Sequence, residues 1–499
     1  MKLSKSQLRW AAAAAGLAMV ASLPAGLATA QPKPSHLGPT IKLVVAQNYI
    51  QVPQFGKSVF LDPGVYVAAL GSQLEFQVQR ASYAKPLKIV EIIHLRGGGT
   101  TVRKLPSWLL DGWNGLKHFI ELTVRDSHGK IVATRFLSFC PNTNPQRTGP
   151  NSPQSSPFPQ QCASNPFERG MVFGLQRDWA ADPIGGFGFF GGVNLKLRRG
   201  NYVVTVTVKH DWRRVLDVSK RDASAVVHVR VVKLSGGCPF CQPPDAQHVK
   251  GLPKLPTVPT MKSPPKADLP DLSPLPSWGI SVLNFKRKNH PTVSYLNFGA
   301  TVWIGGNARL DVEGFRYHGS RIMQAYQYFW HDGRVVGRAR AGTMGFDNQK
   351  GHDHWHFQQF AQYRLLGSNK SLVFRSQKRG FCIAPTDPVD LLLPHAVWVP
   401  SFTGFTGACG SENALWVQES LPVGWGDTYF QFLGGQAFNI TNLPNGTYYI
   451  EIIANPEHVL HETNTHNDVS FRRVIIGGKP GHRTVRVPAY NGIDREGGR

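Results

Sequence analysis

Residues 200–208 read Gly-Asn-Tyr-Val-Val-Thr-Val-Thr-Val, and residues 446–454 read Gly-Thr-Tyr-Tyr-Ile-Glu-Ile-Ile-Ala. Alternate side chains of an extended chain point to opposite faces, so Val204, Val206 and Val208 share one face and Val203, Thr205 and Thr207 the other. β-Branched and aromatic residues in this rhythm suit a strand packed on one side. Residues 225–232 repeat it, and runs of this kind follow one another with turn residues between them and no helix-length amphipathic segment. The fold expected is all-β, built of antiparallel β-sandwiches. Composition agrees. The 499 residues are 41% hydrophobic and 17% charged, with 51 Gly and 37 Pro, which excludes a wholly disordered chain and leaves room for two or three domains. Beyond the N-terminus no apolar run approaches the ~20 residues of a membrane span.

The two quoted stretches belong to a longer correspondence. Leu61-Asp62-Pro63-Gly64 followed by VYVAAL matches Leu296-Asn297-Phe298-Gly299 followed by ATVWIG. LKHFIELTVRDSHGKIV from Leu116 matches FQQFAQYRLLGSNKSLV from Phe357, Phe139-Cys140 matches Phe381-Cys382, and FGFFGG from Phe187 matches FQFLGG from Phe430. Landmarks recurring in one order at a near-constant offset point to a tandem duplication. The expected halves are residues 31–236 and 279–478, joined by a Pro-rich linker over 237–278 and followed by a basic tail over 479–499. The matched cysteines predict the disulfides Cys140–Cys162 and Cys382–Cys409, each tying a loop to its sheet. Cys238 and Cys241 form a C-P-F-C in the linker. Pro243-Pro244 behind them argues against the helix that a redox motif needs, so a local disulfide is expected.

Residues 1–30 have a basic start at Lys2, Lys5 and Arg9, an apolar stretch over 11–27 and a small-residue end at Ala28-Thr29-Ala30, the grammar of a secretory signal peptide. Export to a periplasmic or secreted location places the cysteines where disulfides persist. The formal net charge is +24, and residues 31–250 carry 27 Lys and Arg against 13 Asp and Glu, a net +14, whereas 279–478 carry 17 against 14, a net +3. The basic first half is expected to meet an anionic envelope surface; no nucleic-acid partner is expected, for want of a binding motif.

The feature richest in chemistry is Gly351-His352-Asp353-His354-Trp355-His356-Phe357. On a strand, His352, His354 and His356 share a face, and three converging imidazoles suit Cu(II), Zn(II) or Ni(II). A chance cluster of solvated histidines is the plain alternative. The repeat weighs against it, because Asp111, Trp113 and Gly115 stand at the matching places in the first half, so the fold does not call for histidine there.

His352-x-His354-x-His356-Phe357, Lys378 four residues before Cys382, Gly426-Asp427-Thr428-Tyr429, Gly435 and Gly446-Thr447-Tyr448 together resemble the catalytic domain of lysyl oxidases, over about residues 280–478. The segment from Glu462 to Asp468 is similar to the family's acidic, Asn-rich end motif, with His466 and Asp468 departing from it. The resemblance implies a copper-dependent amine oxidase that turns primary amines into aldehydes, releasing ammonia and hydrogen peroxide with molecular oxygen as oxidant. It implies copper on His352, His354 and His356, and a lysine tyrosylquinone cofactor made from Lys378 and Tyr429. The implied primary amine is peptidyl lysine, a free diamine or a polyamine, and Asp353 and Asp427, by their proximity in sequence, are the candidate general bases. The first half has no Lys or Tyr at the matching places, where Phe136 or Leu137 and Gly186 fall, and is expected to be non-catalytic. Two other readings compete: a non-catalytic β-sandwich module stapled by a metal and bound to an anionic envelope component, and a copper carrier. The second is disfavoured by only 6 Met with no cluster.

Overall fold

The computed structural model describes residues 38–95, 98–149, 151–184, 192–233, 257–316, 320–348, 354–376, 378, 380–400, 409–410 and 414–493. The signal-like segment 1–30, Cys238, Cys241, His352, Asp353, Gly186 and the landmark at 187–191 lie outside these residues.

The alternation at 200–208 is realised as a strand, Gly200–Val208, with Val204, Val206 and Val208 buried. It lies between Ser224–Lys233 and Leu116–Asp126. Its counterpart Gly446–Ala454 lies between Val469–Lys479 and Ala361–Leu366. Among the described residues each half contains three sheets, and the strand orders run in step. Thr40–Val45, Val65–Leu70, Trp179–Ala181 and Gln146–Arg147 stand in the order that Pro270–Pro274, Val293–Gly306, Trp425–Tyr429 and Asp387–Pro388 follow. Gly170–Leu175, Leu74–Gln79, Lys88–His94 and Thr100–Leu105 answer to Trp416–Leu421, Leu310–Phe315, Ile322–His331 and Arg334–Asp347. Onto this last strand the second half adds an edge strand, His354–Phe357. The disulfides Cys140–Cys162 and Cys382–Cys409 are both present, with Cα–Cα separations of 6.2 Å and 5.6 Å.

The structure refines two expected boundaries. The proposed linker does not extend to residue 278: Pro270–Pro274 is a strand paired with Val293–Gly306, and Leu269, Leu272, Leu275 and Ser277 are buried. A proline-rich run can do this because Pro270–Pro274 is an edge strand, where a missing N–H breaks no ladder. The described part of the basic tail, residues 479–493, folds back onto the second half. A Pro480-Gly481 turn, with Gly481 at φ +77°, folds His482–Arg486 back on Val469–Lys479, and Tyr490 packs edge-on against Tyr83 and Phe167 of the first half. The pairing of the named strands is antiparallel as expected, with one parallel pair, Ser224–Lys233 on Tyr49–Phe55; strands so far apart in sequence have ample chain for the crossover.

The halves are not beads on a string. One hydrophobic cluster includes core residues of both, and Phe167 of the first half is buried with Leu275, Trp303 and Val389 of the second. Backbone bonds cross as well, from Arg169 N to the Val389 carbonyl at 2.7 Å and from Leu391 N to the Gly170 carbonyl at 2.9 Å.

Candidate active site

The histidine strand lies antiparallel to the end of Arg334–Asp347, with His354 opposite Asp347 and His356 opposite Gly345. Alternation puts Trp355 on the far face, buried, with the Arg316 guanidinium 4.9 Å from its ring, and puts His354 and His356 together with ring centroids 4.7 Å apart. Asp347 Oδ2 lies 3.5 Å from His356 Nδ1. On its other side the strand is held by Phe381, whose N–H and carbonyl exchange bonds with Phe357 at 3.0 and 2.9 Å, and by Trp355 N donating to the Cys409 carbonyl at 2.9 Å. Residue 380 must be glycine here, because a Cβ on it would lie 2.6 Å from that of His356. At the matching place to His356 in the first half, Gly115 sits at φ +105°, and a Cβ would lie 2.3 Å from the Phe139 carbonyl oxygen. That half has no room for a ligand there.

This pairing brings Lys378 in. Its backbone N–H bonds Ser376 Oγ at 3.0 Å, and that hydroxyl donates to the Gly435 carbonyl at 3.0 Å. The Lys378 Nζ lies 4.1 Å from the centroid of the Tyr429 ring and 5.0 Å from that of Phe381, and the two rings meet edge to face at 5.1 Å. Tyr429 ends the strand Trp425–Tyr429, all of it buried. Its hydroxyl accepts from Cys382 N at 2.7 Å and donates to the Cys382 carbonyl at 3.2 Å. The Cys382–Cys409 disulfide therefore anchors both the clamp on the tyrosine and the segment that pairs with the histidine strand.

Burial sets the electrostatics. It removes water from the Lys378 ammonium and lowers its pKa to about 8, while Asp427 and Asp347 pull it part of the way back up. Burial and the neighbouring Asp427 carboxylate raise the Tyr429 phenol well above its ordinary value. Asp427, two residues before Tyr429 on the same strand face, is itself raised, chiefly by burial, with Lys378 opposing. Its Oδ2 is buried and has no hydrogen bond among the described residues. Glu419, whose Oε2 accepts from Ile383 N at 3.0 Å, is likewise raised by burial.

The structure thus joins Lys378 to Tyr429 and places His354 beside His356, with Asp427 next to the first pair. His352 and Asp353 fall outside the described residues, and among those described no three His, Cys, Asp or Glu side chains enclose a metal-sized space. Two imidazoles on one face, backed by a carboxylate, are nonetheless the nitrogen-rich donor set that Cu(II) favours, so the residues present fit copper. Sequence reasoning missed Phe381, Asp347 and Glu419. Asp347 alone had a signal, as an acid at the end of a strand leading into the histidines. The end motif packs away from this centre, where Glu462 Oε2 accepts from Leu272 N at 3.1 Å and Asn455 Nδ2 bonds Oε1 at 2.6 Å.

Residues 307–481 match the lysyl oxidase family model. Among curated proteins, lysyl oxidase homolog 4 of Mus musculus is 25% identical over 160 residues, 32% of this chain and 19% of that protein. Lysyl oxidase homolog 2 of Gallus gallus is 23% identical over 175 residues, 35% of this chain and 20% of that protein. The chain spans about a fifth of the length of the curated relatives it matches.

Proposed function

We propose, from the premise that residues 307–481 are a lysyl oxidase family domain, that the chain is an exported copper-dependent amine oxidase. Its substrates would be primary amines, peptidyl lysine or small amines, converted to aldehydes with release of ammonia and hydrogen peroxide. The observation that carries the reading is the Lys378 Nζ standing 4.1 Å over the Tyr429 ring across 51 residues of sequence. A structural metal staple needs no such pair.

His354 and His356 would hold the copper, with His352 completing the set. Copper and a quinone made from Lys378 and Tyr429 would supply the electron transfer and the carbonyl electrophile that no ordinary side chain offers. The chain's own groups prepare this chemistry. Burial holds a useful fraction of Lys378 as free amine, since at pKa about 8 roughly one molecule in ten is neutral at pH 7, against fewer than one in a thousand for an exposed lysine. The Cys382 backbone fixes the Tyr429 hydroxyl, so the ring presents one face to Nζ. Phe381 closes a side of the ring and keeps water off it. Asp427, through its unpartnered Oδ2, would accept the α-proton of a bound amine; its raised pKa makes it a better base than an exposed carboxylate. The test is amine-dependent peroxide release by the copper-loaded full chain. Turnover of monoamines, diamines or lysyl peptides that disappears in Lys378→Arg supports the proposal. Copper-loaded protein inert to all three classes refutes it.

A further inference from the structure

The strand that carries Tyr429 has a second face. Asp427 and Tyr429 look toward Lys378, while Thr428 between them looks the opposite way, into a buried polar cluster built by both halves of the chain. Thr428 Oγ1 donates to Asp387 Oδ2 at 3.1 Å and lies 2.8 Å from Thr301 Oγ1, and Thr428 N bonds Thr386 Oγ1 at 2.7 Å. The first half closes the circuit. Asn165 Nδ2 donates to Thr301 Oγ1 at 2.9 Å, and Ser164 Oγ donates to Asp387 Oδ2 at 2.8 Å. Ser164 N reaches both Asp387 Oδ1 at 3.2 Å and Glu168 Oε1 at 3.1 Å, and Asn165 N bonds Glu168 Oε1 at 2.9 Å. Asn165, Glu168, Thr301, Asp387 and Thr428 are all buried.

Two carboxyls sharing one N–H in a dry site do not both carry charge. Asp387 receives three hydrogen bonds over its two oxygens, whereas Glu168 Oε2 is buried with none. Glu168 is therefore the partner that holds the proton, and burial beside Asp387, which raises its pKa well above the ordinary range, acts in the same direction. Separating the halves would strand a buried carboxyl, two threonine hydroxyls and an asparagine amide, so the cluster and the docked state stand or fall together.

We infer that the N-terminal half is a positioning element for the candidate centre: residues 164–168 and Asp387 clamp the strand Trp425–Tyr429 from behind and thereby hold Tyr429 under Lys378. None of Ser164, Asn165, Glu168 or Asp387 touches the reacting atoms; they act through the side-chain hydroxyl of Thr428. The consequence for cofactor formation rests on the amine oxidase reading, whereas the clamp itself does not.

Hydrogen exchange of the copper-free full chain tests it, read by mass spectrometry on peptides covering 384–388 and 425–429. Glu168→Ala is expected to speed exchange there about tenfold or more while leaving Ile322–His331 unchanged. Glu168→Gln keeps the acceptor at Oε1 and turns an N–H toward Asp387, and is expected to restore wild-type protection within about twofold. Ser164→Ala removes one hydroxyl donor and is expected to give a rise of about threefold, which keeps the test available should Glu168→Ala fail to fold. Unchanged protection at 425–429 in folded Glu168→Ala or in Ser164→Ala overturns the clamp, as does Glu168→Gln exchanging like Glu168→Ala. After copper loading, Glu168→Ala is expected to yield several-fold less Lys378–Tyr429 cross-link. The same exchange pattern in a wild-type chain that forms no cross-link would sustain the clamp and defeat the amine oxidase reading.

Discussion

Replacing Lys378 by methionine in the copper-free protein is expected to make the fold more stable at pH 7. The lysine is charged in the unfolded chain and is buried against Tyr429 and Phe381 in the folded one, which lowers its pKa from 10.5 to about 8. That difference corresponds to about 3 kcal/mol of destabilisation below pH 8. The cation over two aromatic faces returns about 1–2 kcal/mol, and methionine has similar length and makes its own contacts with aromatic rings. The net gain for Lys378→Met is therefore about 1–2 kcal/mol near neutrality. The pH dependence has a definite sign. Between pH 8 and 10.5 the unfolded chain binds the proton that the folded chain has released, so wild-type stability gains on the variant as pH rises through that window. Urea unfolding of both proteins at pH 7 and pH 10 measures the gap. A variant less stable than wild type at pH 7, or a gap that does not narrow by pH 10, would refute the claim that Lys378 is held as a desolvated amine.

Tyr429→Phe removes the hydroxyl bound by the Cys382 N–H and carbonyl, and should cost about 1–2 kcal/mol in thermal unfolding as well as all amine-dependent peroxide release. Asp427→Asn should leave the Lys378–Tyr429 link intact in mass spectra but lower kcat by about 100-fold or more, with KM little changed. Gly435→Ala puts a Cβ 2.9 Å from that of Lys378 at a residue with φ +82°, and should cost about 1–3 kcal/mol in denaturation together with a reduced yield of the link.

Alternation at 200–208 and 446–454 was enough to read an all-β chain, because a period of two with β-branched residues has few other uses. The matched cysteines likewise led to both observed disulfides. Prolines misled at 270–274: composition marks them as linker, and only the three-dimensional neighbours show that they occupy an edge where no N–H is required. The junction of the halves was not legible either. Ser164, Asn165 and Glu168 are polar residues in a run of turn formers, the signature of an exposed loop, and the burial of Asn165 and Glu168 depends on Asp387, Thr301 and Thr428 arriving from more than a hundred residues away. At the centre, the histidines stood out by their alternate spacing, and Lys378 and Tyr429 through their resemblance to a known motif. The Cys382 clamp did not, because backbone N–H and carbonyl groups are the same at every position and leave no mark in a sequence.

The central claim is that Lys378 and Tyr429 are the two halves of one cofactor. Peptide mass spectrometry of the exported chain matured with copper and oxygen tests it most directly. The account predicts a covalently joined pair of peptides, one containing Lys378 and the other Tyr429, in a species that reacts with phenylhydrazine. Separate, unmodified Lys378 and Tyr429 peptides from a fully copper-loaded sample would contradict it, and would leave His354 and His356 as part of a metal staple in a binding module.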